Sequence, residues 1–526
     1  MVKENISIFE KYFSLDRKER GILFLLFIIA IIIRIILFYA EPIITNDGVQ
    51  YAILGKNIVS GKGYFINSQF NIRDNPLYPS LIGLVSLVFK DLVLSGILVS
   101  IFFGCLLIWC VYLLTRELYS KKVALISSFI IIWYPYLTNN SSKVLASSTY
   151  VFFLTLTVYF FWIAIKEERK MYYFLIGIVS GLAYLTRFEI IGYVAFFIFA
   201  IIILRKSKSF LPICIVLLGF FIVSTPFWLY VKVNTGSFNL LTKLKIGLYH
   251  INIEESNTPL RTIPFQQIDS FAEYYLSDIK GVLKHFIKQF GLTYRRDLPN
   301  IFPPLLMLIL PFAFFRNSKE SSDGLKATLF LCIVILLTIL GYSSYRASAR
   351  NLIYTLPFLI ILLSKGIIEI SRIISEKNIR SFLNEKALTL ILLSVIFISI
   401  IPQTFRPLIF GVDSNLPLES VAMGKWIKEN LPEREKVITD SQHAEFMILS
   451  FYANKEFIPN PMDYNGIIEL AKEKGINYIA FSEYGGLNKE KLYSVLKIIE
   501  QEKWPIVHSL KIKNGRWAKL YKIPTR

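Results

Sequence analysis

Residues Gly21 to Ala40 read GILFLLFIIAIIIRIILFYA, an unbroken apolar run with a single charge, and runs of this kind return along most of the chain. About 20 apolar residues in a helix match the hydrocarbon thickness of a bilayer. Hydrophobic residues make up 54% of the 526, so the chain reads as a polytopic α-helical membrane protein. The formal charge of +20 would suit nucleic acid, but its Lys and Arg residues sit in short clusters between the apolar runs, as they do in membrane-protein loops. The four cysteines lie inside apolar runs, and His250, His285, His443 and His508 are far apart. Neither set offers a disulfide framework or a metal-ligand spacing.

About eleven spans are expected. The first is Gly21 to Ala40 and the second Leu92 to Thr115; the others fall near 123–136, 149–165, 172–186, 190–204, 210–231, 302–315, 327–342, 352–363 and 387–401. Leu77 to Phe89 is too short to cross and is expected to lie along the interface. The first run is expected to stay in the mature protein, because it has the length of a full span rather than of a signal peptide. Lys and Arg cluster before the first span and after the second, fourth and sixth, which places the N-terminus and those loops in the cytoplasm. Loops 41–91 and 232–301 then face outward, as does the tail. The tail alternates amphipathic stretches with short apolar runs such as INYIAFSE, a pattern of a small α/β domain. The expected division is a transmembrane domain over 1–410 and an extracytoplasmic domain over 411–526.

Charged residues near the outer boundary stand out, because positive charge there runs against the usual bias of cytoplasmic loops. Asp47 follows Thr45 and Asn46 and precedes a helical pattern, so on spacing alone it reads as a helix N-cap. Arg73 and Asp74 stand before Pro76 and Pro79, which punctuate the chain. Arg187, beside Glu189, sits in a tight outer turn, where it either faces a polar cavity or simply pairs with that acid. Arg346 and Arg350 lie at another outer turn, and Arg34 falls inside the first span with no local acid. Tyr294 to Asp297, YRRD, reads as a solvated or interfacial cluster.

The ordered stretches NDGVQYAILGKNIVSGKGYF, RDNPLYPSLIGL, GLAYLTRFE, PFWLYVKVNTGSF and RASARNLIYTLPFLIILL resemble the GT-C superfamily of membrane glycosyltransferases. The branch is that of the protein O-mannosyltransferases and the lipid A aminoarabinose transferase, glycosyltransferase families 39 and 83. The resemblance implies transfer of a single hexosyl or pentosyl group from a polyprenyl-phosphate or dolichyl-phosphate donor, with inversion, to a protein, lipid or glycan on the outer side of the cytoplasmic membrane. It implies Asp47 as general base, and Arg73, Tyr78, Arg187, Arg346 and Arg350 around the carrier phosphate. Many relatives carry a second acid after that aspartate, whereas this chain has Gly48, which leaves a divalent metal there without a supporting motif, and no other cofactor is implied. The partners expected are the lipid donor, the acceptor and the membrane, with no nucleic acid. Two alternatives stand beside this reading. One is a lipid-linked sugar flippase, against which the absence of paired repeats counts; the other is an oligosaccharyltransferase-like enzyme that moves whole glycans.

Overall fold

The computed structural model describes residues 16–41, 43–66, 69–71, 73–236, 238, 279–315, 323–344, 348–376, 384–410, 417–439, 445–455, 457–459, 463–483, 489–512 and 515–524. Arg346, His250 and His443 lie outside these residues.

The membrane portion is built from helices α1 (Arg17–Ala40), α2 (Asn46–Val59), α3 (Leu77–Phe89), α4 (Leu92–Leu118), α5 (Lys121–Trp133), α6 (Pro135–Ser141), α7 (Ser147–Glu167), α8 (Lys170–Thr186), α9 (Ile190–Arg205), α10 (Phe210–Thr235), α11 (Ile279–Leu292), α12 (Asp323–Ser343), α13 (Leu356–Glu376) and α14 (Glu385–Thr404). Seven helices among the described residues are long and apolar enough to cross a bilayer; Ile279–Ile301 with Pro304–Phe314, bent by 100°, makes an eighth if the pair is one span. The apolar helices α3, α8 and α9 are shorter. Two expected spans are therefore broken rather than straight. Pro135 has no amide hydrogen to donate, so the run 123–136 splits into α5 and α6. The run 302–315 starts at a 100° bend, where Pro303 and Pro304 part it from the preceding helix, and holds only the short turns Pro304–Met307 and Leu310–Phe314.

Ion pairs show which helix ends share a side. Glu19 at the start of α1 is buried and pairs with Lys121 at 3.0 Å and Arg116 at 3.8 Å. Lys166 meets Glu117 at 3.2 Å, Lys122 meets Glu385 at 3.4 Å, and Arg205 donates to the Ile165 carbonyl at 2.6 Å. The basic clusters flanking α1, α4, α5, α7, α9 and α14 thus lie together, as the charge pattern requires. At the other side Lys143 reaches Glu41, just past α1, at 2.7 Å.

Helices α2 and α3 cross where two glycines meet. A Cβ on Gly55 would stand 2.6 Å from the Pro79 carbonyl, and one on Gly83 would stand 2.5 Å from the Gly55 carbonyl, so only glycine permits this backbone approach. This clamps residues 46–89 into a fixed hairpin of helices.

The chain ends in α15 (Leu418–Asn430), β3 (Val437–Thr439), α16 (Glu445–Ala453), β4 (Phe457–Pro459), α17 (Tyr464–Lys474), β5 (Tyr478–Ser482), α18 (Lys489–Gln501), β6 (Ile506–Lys511) and β7 (Trp517–Lys522); a separate two-stranded ribbon, β1 (Phe65–Ile66) and β2 (Gln69–Phe70), lies between α2 and α3. The five-stranded sheet has the order β4-β3-β5-β7-β6. β3 is parallel to β4 and β5, and β7 is antiparallel to β5 and β6. Alternation along the strands sends Ile438, Ile479, Phe481 and Tyr521 to one face, under Ile467, Leu496 and Ile499. Val437, Ala480, Ala518 and Leu520 face Met423, Ile427 and Leu449 on the other. Val421 and Ile448 join the membrane core instead, so α15 and α16 connect the sheet to the membrane portion, with α16 against α2.

Candidate active site

The N-terminus of α2 is capped by Thr45, whose hydroxyl accepts from the Gly48 amide at 3.2 Å. The expected cap, Asp47, sits one turn position further on and is released from that duty. Its carboxylate turns to two arginines brought from distant parts of the chain. Arg350 Nη2 donates to Oδ2 at 2.5 Å, and Arg73 Nη2 lies 3.7 Å from Oδ1. Asp47 is 24% exposed and the two arginines about half, so this charged group opens to solvent rather than into the core.

Each arginine is held by its own local structure. Asn71 Oδ1 accepts from the amides of Arg73 and Asp74, both at 2.9 Å, and Asn75 donates to the Tyr184 carbonyl at the end of α8. Asp74 is buried in that turn, and the Tyr64 hydroxyl donates to its carbonyl at 2.9 Å. Arg350 occupies a short helical turn, Ala349–Leu352, that leads into α13. Arg187 follows the last residue of α8 and its guanidinium lies 5.2 Å from the centre of the Tyr354 ring. Its Nε and Nη2 donate to Glu189 Oε1 at 3.0 and 2.7 Å, and the Tyr342 hydroxyl donates to the same oxygen at 3.0 Å. The pairing expected from sequence is present, and the cation–π contact orients the guanidinium as well.

Tyr51, on α2, reports how near these charges lie. Its hydroxyl is pushed well above the ordinary range, first by burial and then by Asp74 and Asp47, while Arg187 and Arg350 oppose the shift. The phenol stays protonated in the physiological range and serves as a neutral wall of the site. Tyr78 supports that wall without touching the charges: its ring meets Tyr51 edge-on at 5.3 Å. It is fully buried, and its hydroxyl is engaged with Ser100 at 2.7 Å and the Gly96 carbonyl at 3.0 Å, so the structure places it in the packing behind the charged group.

Gly48 has a steric reason to be glycine. A Cβ there would stand 2.8 Å from both Ile44 Cγ1 and the Val144 carbonyl. No acidic side chain fits at this position with the loop where it is. Among the described residues no three His, Cys, Asp or Glu side chains converge as a metal-binding group would.

Two charged sequence features lie elsewhere. Arg34 is buried, donating to Ser141 Oγ at 2.6 Å and to the carbonyls of Ala30 and Gly104 at 3.1 and 3.5 Å; it ties α1 to α6 and α4. Arg296 of the YRRD stretch pairs with Asp297 at 2.8 Å.

Residues 74–230 match the family model of dolichyl-phosphate-mannose-protein mannosyltransferases. No curated protein sequence matches the chain. Solved structures extend the likeness over nearly its whole length. ArnT from Cupriavidus metallidurans bound to undecaprenyl phosphate is 11% identical, with a TM-score of 0.58 over 95% of this chain and 98% of its own. The chain has the GT-C fold. Two structures of the Archaeoglobus fulgidus oligosaccharyltransferase share it. The form tethered to an acceptor peptide containing the NVT sequon is 14% identical, with a TM-score of 0.59 over 98% of this chain and 74% of its own. AglB in complex with an inhibitory peptide and a dolichol-phosphate is 14% identical, with a TM-score of 0.56 over 97% and 74%. In this GT-C chain the family-model match includes Asp74 and Arg187, while Asp47, Arg73 and Arg350 stand outside it.

Sequence reasoning missed the supporting layer of the site. Tyr354 follows Arg350 by four residues, the spacing of one helical face, and that signal was available. Tyr342 and Val144 carry no comparable signal, since only the tertiary fold brings them to Glu189 and Gly48.

Proposed function

We propose that the protein transfers a single sugar from a polyprenyl-phosphate carrier to an acceptor hydroxyl at the outer face of the cell membrane, with Asp47 as general base. The observation that carries this is the carboxylate set between Arg350 and Arg73 at the ends of membrane helices, in a GT-C fold. A hydroxyl is a poor nucleophile, so a carboxylate must take its proton as oxygen attacks the anomeric carbon. The bond from that carbon to the carrier phosphate breaks, and its electron pair leaves with the phosphate. Guanidinium groups of Arg350, Arg73 and Arg187 stabilise the growing negative charge, so no proton need be supplied to the leaving group. One displacement from the opposite face inverts the anomeric centre. Arrival of the phosphate draws Arg350 away from Asp47, which makes the carboxylate more basic at the moment it is needed.

The match to 98% of ArnT, against 74% of the oligosaccharyltransferase, supports a single-sugar enzyme over one that moves whole glycans. The division into a membrane domain, 1–410, and an outer domain, 411–526, that caps the first outer loop belongs to the same proposal. The test is direct. Purified protein is given polyprenyl-phosphate sugars in detergent, where translocation has no meaning, and release of polyprenyl phosphate is followed with a pool of acceptors. Consumption of donor with an inverted product supports the reading. No donor consumed by protein that binds it would point to a carrier instead.

A further inference from the structure

At the far end of α2 from Asp47, about 14 Å along the helix at 1.5 Å per residue, a cleft of about 840 Å³ opens between α2, the α3–α4 junction and helices α15 and α16. Lys56, Lys62, Lys90, Lys428 and Lys455 line it, with one acid, Asp91. That acid is already occupied, since its Oδ1 accepts from the amides of Val93 and Leu94 at 2.8 and 2.9 Å as the cap of α4. Lys455 is spent on the carbonyls of Leu431 and Pro432. The remaining four lysines are exposed, and none has an ion pair among the described residues. The floor is different in character: Ile53, Val59, Phe451 and Tyr452 give it an apolar base. Beside it the last turns of α3 expose Leu84, Leu87, Val88 and Phe89, which places the cleft at the edge of the hydrocarbon layer.

Four unpaired lysines at the outer boundary oppose the usual charge bias of membrane proteins, and their convergence from three chain segments costs electrostatic repulsion. An apolar floor under a basic rim, continuous with a lipid-facing helix end, complements one kind of molecule. We propose that this cleft binds the phosphate headgroup of an anionic lipid of the outer leaflet, whose acyl chains lie along α3. Such a lipid would tie α15 and α16 to the first outer loop by neutralising lysines from both. The site is distinct from the Asp47 cluster and independent of the sugar-transfer reading.

Native mass spectrometry of the full-length protein in detergent tests it with three probes: phosphatidylglycerol, phosphatidylcholine and glycerol 3-phosphate. The wild type is expected to retain phosphatidylglycerol over phosphatidylcholine. Lys56→Gln/Lys90→Gln/Lys428→Gln should weaken that binding about a hundredfold, given the usual contribution of each lysine near a membrane surface. Lys90→Glu alone should weaken it as well. Lys472→Gln/Lys474→Gln/Lys497→Gln, which removes equal charge from the exposed helices of the outer sheet, should bind as wild type. Equal retention by the cleft variants, or equal loss in the control variant, overturns the proposal. So does displacement by glycerol 3-phosphate, which would make the occupant a soluble phosphate.

Discussion

Asp47 and Glu369 are both carboxylates flanked by two basic side chains, yet they are built in opposite ways. Glu369 takes Lys365 at 2.7 Å and Arg372 at 2.6 Å from its own helix, four residues before and three after. Lys365 and Glu369 are only 2% and 3% exposed. Asp47 takes Arg350 from 303 residues away, and the partners are about half exposed. A pair within one helix forms as soon as the helix does and lets charge lie inside the bundle. A pair assembled by the whole fold and left open does little for stability. It stays able to exchange partners, which is what a base and a phosphate site need.

That contrast can be broken by experiment. The largest effect is expected from Asp47→Asn, which should lower the rate of sugar transfer by a factor of about 10² to 10⁴ while leaving the thermal midpoint in detergent almost unchanged. A midpoint that falls with the rate would make Asp47 a structural residue like Glu369. Glu369→Gln should do the reverse, because it leaves the Lys365 ammonium buried without its partner carboxylate. A loss of about 3–5 kcal/mol of stability is expected, read as a lowered midpoint, with activity per folded molecule retained. Arg350→Ala should cut the rate by about 10² to 10³, and Arg350→Lys should restore only part of it, since lysine keeps the charge but loses the fork of donors. Gly48→Ala forces its methyl group against Val144 and should cost about 1–3 kcal/mol, with a fall in activity because Asp47 is on the same turn. Arg73→Ala should be mildest, under about tenfold in rate, as expected for an exposed contact. A larger fall would put Arg73 on a par with Arg350 in holding the charge of the leaving phosphate.

The reach of the sequence follows from the same distinction between local and assembled features. The membrane helices were legible because apolar runs are local, and the shared side of their basic ends was legible because charge bias is local. The breaks at Pro135 and at Pro303–Pro304 are written in the chain too, but an apolar run alone does not show whether proline kinks a span or ends it. Asp47 was visible only through the ordered resemblance. On spacing alone it reads as a helix N-cap, whereas the structure gives that place to Thr45 and leaves the Asp47 carboxylate to Arg350 and Arg73. Tyr78 shows the converse. The resemblance implies it as a ligand, and only the phase of α3 in the folded chain shows its hydroxyl turned inward against Ser100.

The contact between Gly48 and the Val144 carbonyl also bears on how such a site evolves. Glycine and aspartate codons lie one base apart, so a second carboxylate beside Asp47 is genetically near. Here that step meets backbone from a loop nearly a hundred residues on, and it becomes accessible only after the loop at Val144 has moved. The two positions are epistatic. With that packing in place, geometry keeps this turn to a single carboxylate.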